Sequence, residues 1–282
     1  METLEEITEL RQLVKNWRSQ NIKVAFVPTM GNLHEGHISL VNKAKTLADK
    51  VIVSIYVNPM QFGPNEDFDA YPRTLENDAS ALTSANVDAL FLPTTQIIYP
   101  RSPANTTSVE VPGLSEILCG EHRPGHFTGV TTVVCKLLNL VSPHVLLLGE
   151  KDFQQVAVIR RMIEDLNMPV EVVTGETIRE SDGLAKSSRN QYLSKEDRQI
   201  ATLLYKELEK SVSKAKAGHD LALTESEAIE FLEKQGFSCD YFQFRDALNL
   251  DKPTQKSRQL VLLAAAYLKT TRLIDNLSLT LH

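Results

Sequence analysis

The chain has 282 residues, 42% of them hydrophobic and 23% charged, which is ordinary for a soluble protein and enough for one large domain or two. A net charge of −6 argues against a nucleic-acid binder, but a local cluster of cations could still hold a small anionic substrate. Cys119, Cys135 and Cys239 are odd in number and lack Cys-x-x-Cys spacing, so no disulfide framework is expected and the cytoplasm is the expected compartment.

Met1 to Ser19 is an acidic amphipathic segment with Leu4, Ile7, Leu10, Leu13 and Trp17 on one face. It has neither the basic start nor the apolar core of a signal peptide, and no window of the chain reaches membrane-span length. Lys23–Val27 has the length and β-branching of a buried strand. Ile38, Leu40, Val41, Ala44, Leu47 and Ala48 then fall on one face of a helix. Strands follow at Val51–Val57, Ala89–Leu92, Val145–Leu148 and Val170–Val173, alternating with helices at Leu75–Ala85, Val130–Val141 and Phe153–Leu166. This alternation predicts an α/β fold, a Rossmann-like doubly wound parallel sheet that binds ligands at the carboxyl ends of its strands. The polar segments Thr29–His37, Asn58–Thr74 and Gly149–Gln155 fall at those ends, and their convergence would make one cleft.

Beyond residue 178 the pattern changes. Lys195–Ala217 and Thr224–Gln235 read as helices stopped by Gly218 and Gly236, and Tyr241–Phe244, Leu260–Leu268 and Arg272–Leu277 read as strands. The expected division is a Rossmann-like domain over 1–178 and a smaller C-terminal α+β domain over 179–282, with Lys186-Ser187-Ser188-Arg189-Asn190 near its start.

Pro28-Thr29-Met30-Gly31-Asn32-Leu33-His34-Glu35-Gly36-His37 occupies the first strand-to-helix junction, where unpaired backbone N–H groups and the helix dipole attract anions. Phosphate contact is the reading this junction favours for His34 and His37. Metal ligation and a purely structural role compete with it, although the H-x-x-H spacing is one residue short of the helical zinc pattern. Lys151, in Gly149-Glu150-Lys151-Asp152, could neutralise a phosphate from a strand end, or be a solvated turn residue. Gln154 and Gln155 carry amides that both donate and accept, as carboxylate and hydroxyl recognition requires, though either alone would suit plain surface. Arg189 could pair with phosphate oxygens, and Arg73 and Arg123 are further anion-binding candidates. His126 could cap the helix that follows it, and Cys135 reads as a small core residue.

Together these motifs resemble a known family. His34-Glu35-Gly36-His37 after a first strand and Lys186-Ser187-Ser188-Arg189 after a fifth resemble the two ATP-clasping signatures of the nucleotidyltransferase superfamily, which includes class I aminoacyl-tRNA synthetases. Pro28 to His34, Val57-Asn58-Pro59-Met60-Gln61-Phe62, Arg123-Pro124-Gly125-His126-Phe127, Gly149 to Gln155, and Asp182-Gly183-Leu184-Ala185 with Ser187-Ser188-Arg189-Asn190 more narrowly resemble the pantothenate synthetase family, across essentially the whole chain. The resemblance implies that pantoate and β-alanine are joined with ATP through a pantoyl-adenylate, releasing AMP and pyrophosphate. It implies ATP contacts at Met30, Gly31, Asn32, Leu33, His34, Glu35, Gly36, His37, Gly149, Glu150, Lys151, Asp152, Ile178, Lys186, Ser187, Ser188 and Arg189, with His37 matching the proton donor. Gln61 and Gln155 match the pantoate-binding glutamines, Gln61 also borders β-alanine, and the first domain would carry both nucleotide and pantoate. Mg²⁺ and a homodimer are implied as well.

Lys186 departs from the Met or Leu common in the family. Glu76-Asn77-Asp78 represents the family's acidic segment near the pyrophosphate and leaves the protein ligands of Mg²⁺ unassigned. The Lys186–Asn190 loop is expected to act as a lid that protects the adenylate from water. The rival readings are a transferase that stops at nucleotide transfer, an RNA-acting protein, and a non-catalytic regulatory module. No nucleic-acid or membrane partner is expected.

Overall fold

The computed structural model describes residues 1–64 and 66–281. The chain divides into two compact units, Met1–Glu150 with Val158–Glu176, and Lys151–Ala157 with Thr177–His282. This differs from a division at 178/179 chiefly in assigning Lys151–Ala157 to the second unit.

In the first unit the elements in chain order are β1 (Glu2–Leu4), α1 (Ile7–Ser19), β2 (Val24–Thr29), α2 (Glu35–Leu47), β3 (Lys50–Ile55), α3 (Leu75–Ser84) and β4 (Ala89–Phe91). The short helices α4 (Thr95–Ile98) and α5 (Cys119–His122) follow, then α6 (His126–Val141), β5 (Val145–Gly149), α7 (Phe153–Asp165), whose first residues belong to the second unit, and β6 (Glu171–Gly175). The strands make one parallel sheet in the order β1-β4-β3-β2-β5-β6. The centre of the sheet is apolar on both faces, as a parallel sheet covered by helices requires. Ala25, Val27, Val51, Val53, Leu90, Val145 and Leu147 pack with Leu40, Val41 and Ala44 of α2 and Leu82 of α3. Phe26, Ile52, Phe91 and Leu146, alternating with them along the strands, are equally buried.

The sequence reading does not include the short helices α4 and α5, starts α6 at Val130 where it begins at His126, and leaves Glu2–Leu4 in the N-terminal amphipathic segment. Glu2–Leu4 pairs with β4 as an edge strand, with Leu4 opposite Phe91 and 4% exposed. Three residues are too few to show a period of two, so the pairing partner decides this strand.

The second unit contains α8 (Lys195–Lys216), α9 (Leu221–Lys234) and the antiparallel sheet β7 (Phe237–Asp246), β8 (Gln259–Leu268), β9 (Thr271–Thr280), in that spatial order. Leu204, Leu208, Ala228 and Leu232 of the helices pack on Phe242, Phe244, Leu262 and Ala264 of the sheet. The second helix begins at Leu221, not Thr224, because the Asp220 side chain accepts from Leu223 N–H at 2.8 Å and caps it.

Candidate functional site

Strand β2 lies between β3 and β5, where the strand order reverses, so its carboxyl end opens at the switch point of the sheet. Thr29 Oγ1 donates to Ser54 O at 2.8 Å and accepts from Gly31 N–H at 3.2 Å, turning the chain out of the strand. Gly31 takes φ +82°, and a Cβ there would stand 3.0 Å from Ile55 Cγ2 and 3.1 Å from Asp78 Oδ2, so both conformation and space require glycine. Asn32 follows at φ 49°, a region asparagine tolerates better than most residues.

Asp78 of α3, only 3% exposed, holds this turn. Its Oδ2 accepts from Asn32 N–H at 2.9 Å, and its Oδ1 from Leu33 N–H at 2.8 Å and Thr74 Oγ1 at 3.1 Å. Sequence reasoning places Asp78 only within an acidic segment. Nothing local signals a bond spanning 45 residues.

The two histidines cap α2 reciprocally. His34 Nδ1 accepts from Gly36 N–H at 3.1 Å, and His37 Nδ1 accepts from His34 N–H at 3.2 Å. The ring centroids are 4.2 Å apart. An Nδ1 that accepts leaves the ring proton on Nε2, so both imidazoles are held neutral with N–H donors on their outer edges. A neutral ring also suits a helix N-terminus, where the dipole opposes positive charge. The H-x-x-H spacing is thus that of a capping box. Among the described residues no group of three or more His, Cys, Asp or Glu side chains is arranged to hold a metal ion.

After β3, Asn58 is 1% exposed and its side chain bonds Gln61, Gly129 and Met60. Gln61 Nε2 lies 3.0 Å from Met30 Sδ, so the structure brings the first two predicted loops together. Tyr99 donates to Asn58 Oδ1 at 2.8 Å, and burial pushes its hydroxyl well above the usual tyrosine range, so it keeps that proton. Gly129 lets α6 approach this loop, since a Cβ there would lie 2.1 Å from Met60 O.

The arginines singled out for anions have other work. Arg123 pairs with Glu66, its Nε 2.7 Å from Oε1, and also donates to Gln61 O at 3.2 Å. Burial pushes the Glu66 carboxyl up, but the bonds and charge of Arg123 outweigh it and hold the group below the usual carboxylate range. His126 begins α6; its Nε2 faces Arg123 at 3.1 Å, so Nδ1–H donates to Gln61 O at 2.8 Å. Arg73 donates to the carbonyls of Phe68, Asp69 and Tyr71. These cations shape the 58–73 loop. Cys135 is only half-buried, with its Sγ 3.5 Å from Asn139 Nδ2.

At the carboxyl end of β5, Gly149 pairs with Gly175 and Glu150 accepts from Thr174 Oγ1 at 2.6 Å. The remaining predicted residues belong to the second unit. Lys151 and Asp152 complete a 3₁₀ turn, whose Lys151 carbonyl accepts from Asn276 Nδ2 at 3.0 Å. On the first turn of α7 Gln154 is buried and Gln155 half-buried, so Gln154 is not plain surface. Ile178–Lys186 forms a tight hairpin closed by Lys186 N–H on Ile178 O at 2.9 Å. Arg179 anchors it with a two-point pair to Asp275, at 2.6 and 2.9 Å, and lies 3.8 Å over the Tyr205 ring. Ser187 accepts from Arg189 N–H at 3.3 Å and caps the 3₁₀ helix Ser188–Tyr192.

The Lys186 ammonium is 3.4 Å from Glu180 Oε2, and the side chain is 17% exposed. A charge already met by a neighbouring carboxylate adds little to a ligand's field. Lys186→Met is therefore expected to leave the KM for ATP within about twofold, or about 0.4 kcal/mol, in steady-state kinetics. A tenfold rise would put the ammonium on the phosphates.

The family model described as pantoate-beta-alanine ligase matches residues 2–278. Pantothenate synthetase of Shewanella loihica is 53% identical over 278 residues, 99% of each chain, and that of Idiomarina loihiensis is 52% identical over 280 residues, 99% of this chain and 98% of that one. Among solved structures, pantothenate synthetase from Thermus thermophilus superposes with a TM-score of 0.91 at 42% identity, covering 98% of this chain and 99% of that one. Pantoate-beta-alanine ligase from Francisella tularensis, complexed with beta-gamma ATP and β-alanine, does so with a TM-score of 0.82 at 37% identity, covering 98% and 97%.

Proposed function

The chain belongs to the pantoate-beta-alanine ligase family, and from that premise we propose that it joins pantoate to β-alanine in two steps, through a pantoyl-adenylate, with release of pyrophosphate and AMP. In the first step a pantoate carboxylate oxygen attacks the α-phosphorus of ATP and pyrophosphate leaves. In the second the neutral amine of β-alanine attacks the activated carbonyl carbon, and AMP departs with the former carboxylate oxygen.

The observation that carries this reading is the pair of neutral imidazoles capping α2 at the switch point, their Nε2–H groups held by backbone bonds to both Nδ1 atoms. Such donors need no reorganisation when negative charge builds on a phosphorus centre. We assign ATP to Met30, Gly31, Asn32, Leu33, His34, Glu35, Gly36, His37, Gly149 and Glu150 of the first unit, and to Lys151, Asp152, Ile178, Lys186, Ser187, Ser188 and Arg189 of the second. His37 donates a hydrogen bond from Nε2–H to the developing phosphate charge. Gln61 and Gln155 bind pantoate, and Gln61 borders β-alanine. No protein nucleophile is required, and positioning with charge neutralisation supplies the acceleration.

Mg²⁺ enters as part of the substrate MgATP. Both oxygens of Asp78 already accept backbone N–H groups, which suits an ion carried on phosphates and water. The first domain carries nucleotide and pantoate, and the C-terminal one supplies the second ATP segment. Family membership supports a homodimer in the cytoplasm. Among the described residues no helix is long and apolar enough to cross a membrane.

Oxygen-18 in the pantoate carboxylate tests the route. One labelled oxygen in AMP is expected; label in inorganic phosphate beside ADP would overturn the adenylate. Gln155→Ala is expected to weaken pantoate binding about tenfold and ATP binding less than about twofold in calorimetric titration, the scale of a lost hydrogen bond to a charged group. Unchanged pantoate affinity would remove Gln155 from the site.

A further inference from the structure

We propose that Tyr99 is a positioning residue for pantoate: acting through Asn58, it holds the Gln61 carboxamide in place with its NH₂ end toward the substrate. The proposal rests on the assignment of Gln61 to pantoate.

The hydrogen bonds around Asn58 are directional. A carboxamide can be turned either way, but Asn58 meets two backbone groups that have no choice. Met60 N–H can only donate, and reaches Asn58 Oδ1 at 3.3 Å. The Gly129 carbonyl can only accept, and receives Asn58 Nδ2 at 3.1 Å. The Asn58 amide is therefore set. Its Nδ2 also donates to Gln61 at 3.2 Å, so the atom of Gln61 facing it is the carbonyl Oε1. Gln61 must then turn its NH₂ group away from Asn58, and Nε2 lies 3.0 Å from Met30 Sδ. A thioether is a weak acceptor that a carboxylate or hydroxyl oxygen displaces at little cost. Gln61 thus offers donors to an anionic, oxygen-rich ligand, where its carbonyl would have repelled one.

Tyr99 is the outermost member of this chain. Its hydroxyl makes the shortest bond of the set, 2.8 Å to Asn58 Oδ1, and the side chain is 1% exposed. Lys136 Nζ lies 5.6 Å from the ring centroid, and the Tyr56 ring is 6.4 Å away. A buried tyrosine that merely fills space would work as well as phenylalanine. Here the hydroxyl is the nearer of the two donors to Asn58 Oδ1, and without it only the 3.3 Å bond from Met60 N–H holds that oxygen, so the Asn58–Gln61 pair is held less firmly.

The test is a double-mutant cycle on the full-length enzyme, with KM measured separately for pantoate and ATP and folding checked by thermal unfolding. Tyr99→Phe is expected to raise the pantoate KM about fivefold and leave the ATP KM within about twofold. In a Gln61→Ala background the same substitution is expected to change the pantoate KM by less than about twofold, because the group it orients is gone. Equal rises in both KM values, or an undiminished effect in the Gln61→Ala background, would overturn the proposal. Gln61→Ala alone with an unchanged pantoate KM would remove the assignment of Gln61, and the proposal with it.

Discussion

His37→Ala is expected to slow AMP formation about 10²–10³-fold, the cost of losing one preorganised donor to a transition-state charge. Two effects combine at this position. The Nε2–H donor disappears, and His34 N–H loses its acceptor, which costs about 1 kcal/mol of helix capping. The second effect is too small to unfold the unit, so a melting temperature lowered by a few degrees should accompany the kinetic loss. Pre-steady-state measurement of pyrophosphate release would separate the chemical step from product release. Near-normal turnover by folded protein would remove His37 from the reaction.

The largest stability effect is expected in the second unit. Asp275→Ala strips the two-point partner from Arg179 and leaves a guanidinium only 17% exposed, with Gly183 O at 3.1 Å and the Tyr205 ring as its main remaining contacts. Removing one member of a buried ion pair costs about 3 kcal/mol or more, because the survivor's desolvation is no longer offset. The same substitution takes away the Oδ1 that accepts from Asn276 N–H at 2.8 Å. Denaturant unfolding followed by circular dichroism is expected to show that loss. A change below about 0.5 kcal/mol would mean that the pair is no better than a surface contact. Because Arg179 stands at the base of the Ile178–Lys186 hairpin, the variant should also bind ATP more weakly while still folded.

Much of the architecture is visible in the chain because its signals are local. Val24–Val27 and Val145–Leu148 are unbroken apolar runs, and a run of that kind between helical periods reads as a buried parallel strand. The 218 and 236 glycines take φ +84° and +94° just past the ends of α8 and α9, so those stops were legible. The histidine and Lys186–Asn190 motifs stood out for the same reason, as unusual residues packed into short segments at element boundaries.

What the amino-acid order determined by itself, then, was the alternation of strands and helices, the change of pattern after residue 178, and the segments that carry polar chemistry. The tertiary structure decided what those polar groups bond to. Arg123 and Arg73 read as anion-binding candidates in the sequence, and the structure sets Glu66 and the loop carbonyls beside them. Asp78 became the holder of the Gly31–Leu33 turn across 45 residues, and Asp275 the anchor of Arg179 across 96. The physical reason is common to all of these. Hydrophobic periodicity repeats every two or 3.6 residues and can be read in a short window. A directional hydrogen bond between distant segments has no period, and its partner exists only once the chain has packed.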